Sequence, residues 1–254
     1  PETGAVTTME SMFNGANSLT SVSLPKTGAV TNMWVMFKGA TSLTSVSLPE
    51  TGNVEKMNEM FGGASAITSV SLPKTGAVTD MELMFLNATS LTSVSLPETG
   101  AVTTMKWMFS GASAITSVSL PKTGAVENMR GMFGYATSLT SVSLPTTGAV
   151  TTMYGMFYGA TSLTSVSLPE TGAVTTMYYM FGGATATSLT SVSLPKTGAV
   201  TNMSGMFYNA AAFNQDIRGW DVSDVTNFDL MFTGAVSYTH LRAHETVLDL
   251  VCRL

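Results

Sequence analysis

The sequence predicts a repeat solenoid of the α/β type, in which each coil of 24 residues carries one short parallel strand and a short helical or 3₁₀ turn. The first ground is a phrase, L-T-S-V-S-L-P-x-T-G-A-V-T-x-M-x-x-M-F-x-G-A-T-S, that recurs with little change from the first residue to about Asn209. Its prolines fall at Pro1, Pro25, Pro49, Pro73, Pro97, Pro121, Pro145 and Pro169, and a two-residue insertion near Thr185-Ala186 moves the next to Pro195. Self-similarity at this length marks stacked coils that bury their apolar faces only against one another. The second ground is composition. Apolar residues make up 44% of the 254 and charged residues 11%, the reverse of the balance that keeps a chain unfolded. Length therefore counts repeats. Residues 1–235 are expected to form one solenoid of about nine coils plus a degenerate last repeat, and 236–254 a tail outside the period.

Each coil opens on a strand. In Leu19-Thr20-Ser21-Val22-Ser23-Leu24 the spacing L-x-x-V-x-L is that of a leucine-rich-repeat strand, with Val22 and Leu24 inward and Ser21 and Ser23 outward. Pro25, which has no N–H to donate, ends the pairing, and Thr27-Gly28 makes a turn. The next apolar set, Val30, Met33, Met36 and Phe37, follows i, i+3, i+6 and i+7, a helical spacing. Gly39 then ends the helical turn in the left-handed conformation, a slot held elsewhere by Gly15, Gly63, Asn87, Gly111, Gly159, Gly183 and Asn209. Tyr135 departs from this set and is expected to be mildly strained. The paired methionines are expected in the core, because thioethers fill irregular space well.

Stacked coils bring equivalent residues to about 4.8 Å, the spacing of neighbouring strands. The residue after each proline reads Glu2, Lys26, Glu50, Lys74, Glu98, Lys122, Thr146, Glu170 and Lys196, so no two neighbours share a sign. Such a ladder tunes stability and makes no site. The copies of LPKTG, LPETG and LPTTG resemble the sortase anchoring signal of Gram-positive cell walls. That signal needs a following apolar segment and basic tail, which no copy has, so strand end plus turn explains the phrase.

The last repeat reads Phe213-Asn214-Gln215-Asp216-Ile217-Arg218-Gly219-Trp220-Asp221-Val222-Ser223-Asp224-Val225-Thr226-Asn227, followed by Phe228, Met231 and Phe232. This resembles the bacterial surface-protein repeat F-N-Q-D-I-x-x-W-D-V-S-x-V-T-x-M-x-x-M-F, with Phe228 where methionine is usual, and the earlier strand phrase resembles the BspA-type leucine-rich repeat. The resemblance covers about nine tenths of the chain. It implies a leucine-rich-repeat-like right-handed superhelix on secreted or cell-surface proteins, commonly linked with adhesion, and no catalytic residues.

The chemistry of the residues points the same way. The array holds no His and no Cys, since His240, His244 and Cys252 lie beyond it, and this removes Ser-His, Cys-His and most zinc arrangements. The pairs Glu55 with Glu59 and Asp221 with Asp224 read as solvated acids, and Asp216, Asp221, Asp224 and Asp229 lack the glycine-turned loop of an EF-hand. No enzyme, cofactor or metal is expected. A net charge of −5 with scattered basic residues gives no stripe for a phosphate backbone, so nucleic acid is not an expected partner. No run is long enough to span a bilayer. The chain begins in mid-repeat without methionine and reads as a fragment, with any signal or anchor expected outside it. The segment 236–254 reads as a helical cap or as non-native sequence, and a lone cysteine there permits no intrachain disulfide.

Variation between repeats locates the expected function. The strand face is nearly invariant Ser and Thr, whereas the two residues between the methionines and the one after each Phe change without chemical continuity. Two of the three Trp and five of the seven Tyr fall in these slots. Drift on an exposed face favours small polar residues, while Trp and Tyr supply rigid contact area. The expected binding face for an extracellular protein or glycan therefore comprises Trp34, Val35, Leu83, Trp107, Tyr154, Tyr158, Tyr178, Tyr179 and Tyr208. Two other readings stand beside it: a spacer displaying another domain, in which the aromatics pack sideways for stability, and a hydroxyl array of outward serines that orders water or ice or binds polysaccharide.

Overall fold

The computed structural model describes residues 5–97, 99–120, 123–144, 147–183, 189–215 and 217–235. The insertion at Thr185-Ala186, the ladder residues Glu2, Glu98, Lys122 and Thr146, Asp216, and the tail with His240, His244 and Cys252 lie outside the described residues.

The fold is a solenoid. Its strands are β1 (Ser21–Ser23), β2 (Ser45–Ser47), β3 (Ser69–Ser71), β4 (Ser93–Ser95), β5 (Ser117–Ser119), β6 (Ser141–Ser143), β7 (Ser165–Ser167) and β8 (Ser191–Ser193). They pair in parallel as β1–β2, β3–β4, β5–β6 and β7–β8, with equivalent residues opposite, such as Val22 with Val46. Register survives the insertion, since Ser165 pairs with Ser191. In every strand the valine is buried or half-buried and both serines are exposed, the alternation expected of the pleat. A second parallel ladder joins the residues just before the first methionine, from Thr8 through Asn32, Lys56 and Asp80 to Asn227.

The expected helical turn is corrected: among the described residues the segment M-x-x-M-F is a run of turns. Alternate residues donate in opposite senses. Met33, Val35, Phe37 and Gly39 give their N–H groups to Lys56, Asn58, Met60 and Gly62 of the next coil, while Met36, Lys38 and Ala40 donate three residues back. The second residue between the methionines takes positive φ in every coil, as at Ser11, Glu59 and Gly155, and a turn with positive φ at its third position follows the type II pattern. This explains why the spacing looked helical. Successive i to i+3 turns bring Met33 and Met36 to the same side, as a helix would, but bonding between coils replaces bonding along a helix axis. The slot from Gly15 to Asn209 does adopt the left-handed conformation throughout, and Tyr135 holds it at φ 56°.

The core is a set of continuous rows. Methionines such as Met33, Met36, Met129 and Met132 are fully buried beside Val30, Leu43 and their equivalents. Phe13, Phe37, Phe61, Phe85, Phe109, Phe133, Phe157, Phe181, Phe207 and Phe232 form one stack with ring centroids 5.3–5.7 Å apart and planes within 10°, an offset arrangement favourable for aromatic rings.

The threonine of each L-P-x-T-G phrase is buried, at 0% exposure for Thr27, Thr51, Thr147 and Thr171. Their hydroxyls donate to the carbonyls of Glu50, Lys74, Glu170 and Lys196 in the next coil. The phrase is a structural joint between coils. After the proline, Glu50, Lys74, Glu170 and Lys196 lie beside the turn glycines Gly28, Gly52, Gly148 and Gly172 of the preceding coil. At the far end the Gln215 amide donates to the Val192 carbonyl at 2.8 Å and accepts from its N–H, so a side chain completes the edge of β8. Phe213 stacks on Phe207 at 3.9 Å and closes the core there.

Candidate functional site

The turns present the variable slots in rows along the solenoid. Before the first methionine of most coils an Asn, Asp or Thr side chain accepts the N–H two residues on, as Asn32 does from Trp34, Asn128 from Arg130, Thr152 from Tyr154 and Thr176 from Tyr178; Lys56 stands in this place before Met57. These local turns set the direction of the first row. The second row is the positive-φ residue, occupied by Val35, Leu83, Trp107 and Tyr179 but by glycine at Gly131, Gly155 and Gly205. The third row follows the core phenylalanine and holds Ser110, Gly134, Tyr158, Gly182 and Tyr208.

Glycine in the second row makes a concavity. Trp107, Ser110, Gly131, Gly134, Tyr135, Tyr154, Gly155, Tyr158, Tyr178, Tyr179 and Tyr208 line an open groove of about 460 Å³. Its walls are interlocked tyrosines: Tyr154 and Tyr178 lie 4.9 Å apart, Tyr178 and Tyr179 4.5 Å at 85°, Tyr135 and Tyr158 5.4 Å at 73°, and Tyr179 and Tyr208 5.6 Å. The rings also rest on glycines of the following coil. A Cβ at Gly131 would stand 2.1 Å from Trp107 Cδ1, one at Gly205 2.7 Å from the Tyr179 ring, and one at Gly183 2.3 Å from Tyr158. At Gly155 a Cβ would meet only Tyr158, at 3.7 Å, so this glycine is the open floor.

Two cations lie against Trp107 and Tyr154, which line one end of the groove. The Arg130 guanidinium lies 4.3 Å from the Tyr154 ring and 5.2 Å from Trp107, and Lys106 Nζ lies 4.4 Å from Trp107. Lys106 also pairs with Glu82 at 2.9 Å. Arg130 Nε is buried and no acceptor reaches it among the described residues. Burial, and then the neighbouring phenols, raise Tyr158 and Tyr178 above the ordinary tyrosine range, so both are neutral donors at pH 7.

Of the expected binding residues, Trp107, Tyr154, Tyr158, Tyr178, Tyr179 and Tyr208 come together in this groove. Trp34 and Leu83 do not line it, although Trp34 is 39% exposed. Val35 is corrected: it was expected to face outward and is 7% exposed, although Leu230 at the same positive-φ slot is 53% exposed. Sequence reasoning missed Tyr135, the glycine floor and Arg130. The available signal was glycine at two consecutive second-row positions, Gly131 and Gly155, between a Trp and a Tyr in the same row. Two of the acids make local contacts. Glu59 pairs with Lys38, and Asp221 accepts both the N–H and the hydroxyl of Ser223, which lowers its pKa.

Residues 1–96, 65–167 and 151–244 match the family described as Mycoplasma protein of unknown function, DUF285. The chain belongs to that family. No curated protein matches it. Among solved structures it is similar to a leucine-rich-repeat protein of T. pallidum, at 18% identity and TM-score 0.35 over 74% of this chain and 63% of that one. It is also similar to a leucine-rich cell surface protein of Faecalibacterium prausnitzii A2-165, at 16% and 0.40 over 92% and 64%, and to a leucine-rich-repeat protein of Eubacterium ventriosum, at 15% and 0.41 over 90% and 80%. The chain thus spans a little under two thirds of the length of the first two. At these identities the likeness is one of fold.

Proposed function

We propose that this chain is a non-enzymatic recognition module, displayed at a cell surface or secreted, that binds a partner through the aromatic groove of its turn face. The observation that carries the reading is the convergence of Trp107 and six tyrosines on one open groove with a glycine floor. Rigid aromatics at a concave surface are the usual anchors of binding interfaces. Three of them, Trp107, Tyr135 and Tyr179, hold positive φ, and bulky residues kept in that region against steric cost cluster at functional sites. Among the described residues no carboxylate, His or Cys lines the groove, which supports binding over catalysis. The resemblance to BspA-type repeats supports the extracellular setting.

A spacer is the second reading, favoured by the seating of Trp107, Tyr158 and Tyr179 on glycines of the next coil. Binding of the folded chain to purified matrix proteins and to a glycan array separates the two. Saturable binding that disappears when Tyr154, Tyr158 and Tyr178 become Ser, with the fold intact, establishes recognition. Unaltered binding, or none to any surface, leaves the spacer.

A further inference from the structure

The groove's polar groups specify its ligand more narrowly than its shape does. Among the described residues, the side chains that line it offer the hydroxyls of Ser110 and the tyrosines and the indole N–H of Trp107, and no Asp, Glu, Asn, Gln or His. A sugar brings many hydroxyl donors that are best met by carboxylate or amide acceptors, and the lining side chains offer only the weaker hydroxyl oxygens. A proline-rich segment is the converse: it has apolar rings, carbonyl acceptors and no N–H at proline. Tyrosine hydroxyls that stay protonated donate to such carbonyls.

Geometry agrees with this chemistry. The rings stand tilted to one another, at 85° for Tyr178 with Tyr179 and 60° for Tyr179 with Tyr208, and so make ridges and clefts instead of a flat platform. Clefts between aromatics are how polyproline II segments are read elsewhere, because that helix is preformed and loses little entropy on binding. Its turn of about 9.3 Å is close to two coil steps of about 4.8 Å, so one face of the ligand meets alternate coils in constant register. The run from Trp107 to Tyr208 covers four coil steps, about 19 Å, the length of about six polyproline II residues.

Arg130 adds a charge preference. Its guanidinium is held against Tyr154 and Trp107, and neighbouring Lys106 is already paired with Glu82. A stacked guanidinium keeps a fixed positive charge beside these rings, and that charge suits an acidic ligand residue.

We propose that the groove binds a proline-rich segment of a partner protein in the polyproline II conformation, with an acidic residue at the Arg130 end. This rests on the reading of the turn face as a recognition surface. The test titrates the full chain with fluorescent hexaproline-diaspartate, hexaproline-dilysine, a glycine-serine peptide ending in diaspartate, and a chito-oligosaccharide. The first is expected to bind saturably, at least about tenfold tighter than the others, a difference of about 1.4 kcal/mol. Gly155→Leu fills the floor and is expected to weaken that binding at least tenfold. It keeps the fold, because Leu83 and Leu230 hold the same slot at φ 59° and 58°. Arg130→Gln is expected to erase the preference for aspartate over lysine. Absent peptide binding, or peptide binding indifferent to Gly155→Leu, overturns the proposal. Sugar binding lost in Gly155→Leu overturns it too while the recognition reading stands, and if neither the peptides nor the matrix and glycan panel bind, both fall together.

Discussion

The second slot between the methionines shows how a single dihedral shapes the surface. Positive φ costs a non-glycine residue on the order of 1 kcal/mol, and the chain accepts that strain at Ser11, Val35, Glu59, Leu83, Trp107, Tyr179 and Leu230. Leu230 is 53% exposed, so little packing offsets its strain. Leu230→Gly is expected to raise stability by about 0.5–1 kcal/mol, read as a shift of the urea midpoint. The opposite change, Gly131→Ala, places a Cβ 2.1 Å from Trp107. The indole must leave its seat, and Trp107 emission is expected to move to longer wavelength with a loss of about 1–2 kcal/mol.

Tyr158 and Tyr178 carry a pH dependence whose sign follows from burial. Their folded pKa lies above the ordinary value of 10.0. The folded chain therefore holds these protons more tightly than the unfolded one. Their stabilising contribution is complete below about pH 10 and is lost as pH rises through the raised value. An absorbance titration of phenolate is expected to show a late-ionising fraction that shrinks in Tyr158→Phe. A fraction that titrates at the ordinary value would contradict the packing described for the groove.

At the scale of elements, strands of three residues are too short to hold a fold by themselves. Stability comes from rows that run through the coils. A phenylalanine in mid-stack touches a ring on each side, so Phe109→Ala opens a cavity between Phe85 and Phe133. A loss of about 3–5 kcal/mol is expected in urea unfolding, far above that from the same change at Phe232, which ends the stack and is half-buried. The L-P-x-T-G threonines act likewise. The hydroxyls of Thr27, Thr51, Thr147, Thr171 and Thr197 each satisfy a carbonyl of the next coil, a bond that a strand-centred reading of the phrase does not anticipate.

The molecule as a whole behaves as a one-dimensional stack in which each coil touches only its neighbours, so stability sums over coils and interfaces. Deletion of one 24-residue unit, such as 53–76, joins equivalent positions and is expected to leave a folded array of slightly lower melting temperature. Deletion of half a unit, 53–64, joins a turn to a strand and is expected to lose cooperative unfolding by circular dichroism. The groove draws on coils from Trp107 to Tyr208, so removal of 53–76 is also expected to leave ligand binding intact.

The sequence by itself determined the period, the inward face of the strands, the buried methionines and the left-handed slots, because each is a local consequence of residue type repeated at fixed spacing. It also named six of the groove's aromatic residues from their variability alone. It misread the turns as helix, because an i to i+3 spacing of apolar residues is common to helices and to successive turns. Only hydrogen bonding between coils decides between them. The groove too was decided by tertiary structure. Whether an aromatic side chain stands out, lies on a neighbour or is drawn inward depends on the residue one coil away: Trp107 lies where Gly131 leaves room, Gly155 opens a floor, and Val35 turns into the surface. That contact joins residues 24 positions apart across a stacked interface, and no local rule of spacing contains it.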